Sequence, residues 1–154
     1  LGWERNLSNE LIDAIAAGGG VVHVPFGGSF LWAQIQSAEQ PVWDYVEDTL
    51  GLSINSRRGR EEAQNFRRRS QIGYATPSNV ADQIDFIVDR IGVQHVGFGS
   101  GFDGSGDSMP YGLKDVSEYS GLIAELLRRG YSDADLAAIM GGNFMRVWRT
   151  VEEA

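Results

Sequence analysis

The sequence contains no cysteine, which removes disulfides, thiolate metal sites and cysteine nucleophiles together. Histidine is nearly as scarce. His23 and His95 are the two imidazoles available as metal ligands or as bases near neutral pH. Cationic residues number 13 against 21 acidic ones, a net charge of −8. Duplex binding needs a basic face to neutralise phosphates, so nucleic acid is not an expected partner. No apolar run approaches the ~18 residues of a membrane span, and no leader-peptide pattern opens the chain. Neither a membrane span nor a secretory leader is therefore expected in this stretch, and with the missing cysteines this favours a cytoplasmic location. Internal repeats and low-complexity tracts are absent as well.

What is present is a composition of 42% hydrophobic and 22% charged residues over 154 positions. That is the make-up of roughly one globular domain, large enough for a substantial core. Ser8 is a helix cap, and Leu11, Ile12, Ile15 and Ala16 follow along one stripe until Gly18-Gly19-Gly20 stops it. Val21 to Phe26 is a short β-branched run suited to a strand buried on both faces, as in a parallel sheet covered by helices. Thr76-Pro77 opens a second helix, in which Val80, Ile84, Ile87, Val88 and Ile91 share a face. Gly92 ends it, and Val93 to Gly99 reads as a second strand.

A glycine-rich loop from Gly99 to Gly112 then leads to Asp115 as the next cap. Tyr119, Leu122, Ile123, Leu126 and Leu127 form another helical face, closed by Gly130. Ser132 and Asp135 make a capping-box pattern, with Leu136, Ile139 and Met140 expected inward and Phe144, Val147, Trp148 and Val151 continuing. Residues 30–75 read as an irregular, partly helical excursion. Six arginines in 13 residues, Arg57, Arg58, Arg60, Arg67, Arg68 and Arg69, are expected there as a solvated connector.

Helices alternating with strands imply a parallel βαβ architecture. Two strands, however, cannot close a barrel, and their edges would stand unpaired. The expected fold class is an incomplete α/β domain, with further strands supplied by more chain upstream or by another chain.

Ligands of parallel α/β folds bind at the carboxyl ends of the strands, here the loops at Gly27 to Ser29 and Gly99 to Gly112. Gly99-Ser100-Gly101-Phe102-Asp103-Gly104 matches the G-x-G-x-x-G pattern. A dinucleotide site needs a helix to begin inside that motif, whereas Pro110 and further glycines follow. Asp103 and Asp107 hint at calcium by their spacing, but Lys114 stands where a twelve-residue loop needs glutamate.

Several segments resemble the renal or membrane dipeptidases, the M19 metallopeptidases. They are Arg5 to Ile12, His95 to Gly104, Gly112 to Val116, Gly121 to Gly130 and Gly142 to Val147. They occur in family order and leave out little but the excursion. The resemblance implies that residues 1–154 are the C-terminal portion of a (β/α)8 TIM barrel, its last two strands plus C-terminal helices. It implies zinc-dependent hydrolysis of dipeptides at a binuclear zinc centre whose ligands all lie upstream of this chain. The partners it implies are a dipeptide substrate, the upstream part of the barrel or a complementary chain, and a homodimer.

Site residues carry over one by one. Arg5 matches the arginine that holds the substrate carboxylate, a task suited to a guanidinium fork. Gly101 stands where the family has its acid/base aspartate, and a glycine moves no proton. Asp103 matches a second aspartate, expected to shape the loop or to support groups around the metals. Phe30 falls near a tyrosine of some relatives, while His23 and His95 are expected to be structural. Two rivals remain open: a non-catalytic binding or scaffold relative of the family, and a nucleotide-binding α/β domain built on the Gly99 loop.

Overall fold

The computed structural model describes residues 6–31 and 33–154. Helix α1 (Asn9–Ala17) starts at Ser8, whose Oγ accepts from the Leu11 amide at 3.3 Å. Strand β1 (Val22–Pro25) runs parallel to β2 (Val96–Ser100), pairing Val22 with Val96, His23 with Gly97 and Val24 with Phe98. After Val24 the register slips, and Pro25 pairs with Ser100. Gly99 is the residue left over. A Cβ there would stand 2.8 Å from the backbone of Val24, so the close approach requires glycine. The second strand is shorter than the sequence suggests, because Val93–His95 forms a single 3-10 turn. The preceding Gly92 has φ +89 and redirects the chain, and His95 Nδ1 lies 2.7 Å from the Gly20 carbonyl.

Helix α5 (Pro77–Ile91) covers one face of this sheet. Its Val80, Ala81, Ile84 and Ile87 are buried with Val22, Val24, Phe26 and Val96. Each such valine, isoleucine or phenylalanine side chain contributes about 1.5–3 kcal/mol when fully buried. Leu122 and Leu126 of α6 (Tyr119–Arg128) join the same core, as do Leu136 of α7 (Asp133–Ala137) and Ile139. Ser132 and Asp135 form the expected capping box. The last helix is α8 (Asn143–Glu152). Asn143 anchors it by donating to the carbonyls of Val93 and Val96, both at 2.8 Å. Met140, expected inward, is instead exposed. A wide π turn at Ala138–Gly142 takes more residues to complete than an α turn, which breaks the phase inherited from Leu136 and Ile139.

The excursion is more ordered than its sequence suggests. It forms α2 (Gly28–Leu31), α3 (Ala33–Trp43), a wide π turn (Asp44–Thr49) and α4 (Arg57–Ser70). Val42, Val46, Ile54 and Ala63 make a second small core there, with Tyr45 stacked on Phe66 at 4.5 Å. The arginine run is thus a helix and not a connector, and Arg67 is buried within it.

On the sheet's other face, His23 lies over Gly97, where a Cβ would meet its ring at 2.7 Å. His23 is exposed, and its Nδ1 lies 3.1 Å from the Phe98 carbonyl. Among the described residues each strand has one neighbour, so both outer edges are unpaired. No described helix is long and apolar enough to cross a membrane.

Candidate active-site cleft

The carboxyl ends of β1 and β2 open onto a cleft of about 570 Å³. Gly27 and Ser29 flank it on one side, and Ser100, Gly101, Asp103 and Ser105 on another. The third wall is one stripe of α3 and the wide turn: Gln36, Glu39, Gln40, Trp43, Asp44, Glu47 and Asp48. Those positions recur at i, i+3, i+4, i+7, i+8, i+11 and i+12, so a helical backbone brings them onto one face. Val42 and Val46 turn to the small core instead.

The loop after β2 is held in place by its own backbone. Phe26 N donates to Ser100 O and Gly28 N to Ser108 O, both at 2.9 Å, tying the loop to the end of β1. Ser105 Oγ bonds the Gly101 carbonyl, and the Gly106 amide donates to Asn55 Oδ1 at 2.9 Å. Gly101 adopts φ +82, and nothing lies within 4 Å of the position a Cβ would take. Position 101 therefore faces open space in the cleft. Asp103 is exposed at the rim.

Behind the cleft wall lies a buried ion network. Arg67 Nε donates to Asp107 Oδ2 at 3.1 Å, and its NH2 donates to Glu39 Oε1 at 3.2 Å. Asp107 also accepts from Tyr74 Oη at 2.5 Å and Gln64 Nε2 at 3.4 Å. Lys114 Nζ sits 3.7 Å from the Tyr74 ring centre and donates to the Met109 carbonyl. Asp107 is thus well solvated by donors. Glu39 is 1% exposed, and its Oε2 has no hydrogen-bond partner among the described residues. Burial pushes the Glu39 carboxyl up to about 7, against the pull of Arg67. Burial likewise lowers the Lys114 ammonium, and burial together with Asp107 raises the Tyr74 phenol.

The residues singled out from the sequence separate clearly. Gly101, Asp103 and Phe30 line the cleft. His23 lines a different groove of about 320 Å³ along β1, with Leu7, Ile12 and Phe86. His95 lies at the opposite end of β2. Arg5 lies outside the described residues. Asp103 and Asp107 diverge, one to the rim and one to the buried arginine. The helix expected of a dinucleotide fingerprint is missing, since α6 begins only at Tyr119. Among the described residues no three His, Asp or Glu side chains converge to hold a metal ion, so these residues do not by themselves fit a zinc centre. The Glu39–Arg67–Asp107 network was not foreseen. Its signal in sequence was the helical stripe of Gln36 to Asp48, hidden by Pro41 and by the polarity of the segment.

A family model for membrane dipeptidases, peptidase family M19, matches residues 2–154, and the chain belongs to that family. It is 47% identical over 79 residues to dipeptidase 3 of Rattus norvegicus, a stretch covering 51% of this chain and 16% of that protein. It is 50% identical over 78 residues to dipeptidase aclJ of Aspergillus oryzae, covering 51% of this chain and 18% of that protein. Among solved structures, the probable dipeptidase PvdM from Pseudomonas aeruginosa superposes with a TM-score of 0.68 at 29% identity. That match covers 96% of this chain and 41% of the other. A metallopeptidase from Rhodobacter sphaeroides, liganded with a phosphinate mimic of the dipeptide L-Ala-D-Ala, shares the fold. Its TM-score is 0.61 at 23% identity, covering 91% of this chain and 30% of that one. The chain thus spans less than half of the relatives it matches.

Proposed function

We propose that this chain is the C-terminal portion of a (β/α)8-barrel dipeptidase, with β1 and β2 as its last two strands. Two features support that assignment: the parallel pairing of the strands and, among the described residues, their unpaired outer edges. The barrel's reaction is zinc-dependent hydrolysis of a dipeptide. Water adds to the carbonyl, the C–N bond breaks, and a proton must reach the departing amine. The metal ligands of that reaction are assigned to the part of the barrel upstream of Leu1. Arg5 anchors the substrate carboxylate, and the cleft at the strand ends receives the rest.

Gly101 carries the functional conclusion. It stands where the family places its acid/base, it has open space in front of it, and it has no group to move a proton. Loss of a positioned proton carrier typically costs ~10²–10⁴ in rate. The protein is thus a slow dipeptidase, and a purely binding relative of the family is its limiting case.

The test is Gly101→Asp in a polypeptide carrying this sequence with the upstream barrel. Backbone at φ +82 costs aspartate about 1–2 kcal/mol, which the open site accommodates. Turnover of Ala-Ala should rise by about 10² or more. No gain, with the variant folded and zinc bound, overturns the role of position 101. Zinc and substrate binding without turnover in either form favours the scaffold reading.

A further inference from the structure

The cleft described above is acidic beyond what its proposed reaction needs. Its wall carries Glu39, Asp44, Glu47, Asp48 and Asp103, and no lysine, arginine or histidine is among the described residues that line it. A zwitterionic dipeptide brings one ammonium and one carboxylate, so its net charge answers none of this. The acids are also built in. Gln40 Nε2 holds Asp44 Oδ1 at 2.7 Å, and the Ile54 amide holds Glu47 Oε1 at 3.3 Å. Arg67 and Lys114 lie behind the wall, where Asp107, Glu39 and the Met109 carbonyl engage them, so neither cation pairs with the acids of the rim.

A second observation comes from the wall itself. Glu39 is 1% exposed yet lines the cleft, and its Oε2 is a buried acceptor without a donor among the described residues. Buried acceptors are ordinarily satisfied, so an orphan in a cleft wall marks a place for a donor from outside the protein. The carboxylates do not converge as metal ligands do. They are spread along a stripe with Trp43 between them, and dispersed acids beside an indole suit an organic cation, through charge and through the ring's π face.

We propose that this cleft selects substrates bearing a cationic side chain, an ammonium or guanidinium seated between the acidic stripe, the Trp43 indole and Asp103. The inference rests on the dipeptidase reading and names its substrate class: dipeptides of lysine or arginine.

The experiment uses the polypeptide that carries this sequence with the upstream barrel, loaded with zinc. It measures binding of lysyl-alanine, alanyl-lysine, norleucyl-alanine and glutamyl-alanine by calorimetry at low and at high salt, with hydrolysis of each followed in parallel. At least one lysine dipeptide should bind about tenfold more tightly than norleucyl-alanine at low salt, with glutamyl-alanine weakest. The margin should shrink as salt is added. In Asp44→Asn/Asp48→Asn, and separately in Asp103→Asn, it should narrow while circular dichroism stays native. Equal affinities, a preference for glutamyl-alanine, or a lysine preference that survives both variants overturns the inference. Hydrolysis without charge preference overturns it and leaves the dipeptidase reading standing. Lysine preference without hydrolysis of any dipeptide supports it and removes the dipeptidase reading.

Discussion

Arg67 serves two carboxylates from inside the protein, and its side chain is 3% exposed. Removing it leaves Glu39 and Asp107 buried without their shared cation, and breaking a buried pair from one side costs about 3–5 kcal/mol. Arg67→Met should therefore lower the denaturation free energy by that amount, as measured by urea titration; a loss under about 1 kcal/mol would mean the network is not a structural element. Glu39 behaves differently, because its carboxyl is raised to about 7 from an ordinary 4.5. Below the ordinary value the folded and unfolded chains both hold the proton, and the group has no effect on stability. Between the two values the unfolded chain ionises first, so stability falls as pH rises, and the cost is complete above about 7. Arg67 and Lys114 face the carboxyl and lower this cost, whereas Asp107 adds to it. Glu39→Gln should accordingly melt higher than wild type at pH 8, by up to roughly 3 kcal/mol of stability, and equally at pH 4. An equal deficit at both pH values would show that the carboxylate is needed in its charged form.

Among the elements, α4 and α3 show best why part of the fold was legible and part was not. Where apolar residues repeat at helical spacing, as in α1, α5 and α6, the sequence and the structure agree on the helices. Leu11 and Leu127 of the expected faces are nevertheless exposed, and Asp115 caps the 3-10 turn Val116–Glu118 and not α6 itself. Helix α4 has no such stripe. Its arginines are mostly exposed, and it is held by Ala63, Phe66 and a buried ion network, none of which leaves a periodic apolar trace. Its start depends instead on a tight approach. A Cβ at Gly59 would stand 2.0 Å from the Ser53 carbonyl oxygen. Gly59→Ala should cost at least about 1–3 kcal/mol, whereas Gly73→Ala, with nothing within 4 Å, should stay within about 0.5 kcal/mol. Thermal melts of the two variants, side by side, check this; equal melting temperatures would contradict the packing at the head of α4. The site was legible in a similarly divided way. Gly101 and Asp103 could be placed by family motif because they follow a strand, but the acidic stripe lies in the segment whose sequence matched no pattern.

At the scale of the molecule, α5 covers one face of the sheet, while on the other His23 lies over Gly97 with the Phe144 ring 5.9 Å from its own. Two strands with free edges are a weak sheet by themselves, and most of the family's length lies outside the residues in hand. The proposed function makes the chain one part of a shared site: it would provide the loop at Gly101, the acidic wall and, through Arg5, the carboxylate anchor, with metal binding supplied from elsewhere in the barrel. Native mass spectrometry of the 154-residue chain in zinc-containing buffer, with metal counted per polypeptide, tests this division most directly. The expected result is a species of 16.9 kDa, or a multiple of it, that retains no stoichiometric zinc. Two zinc ions held per chain of that mass would contradict it, because the metal centre would then have to be built from these residues alone.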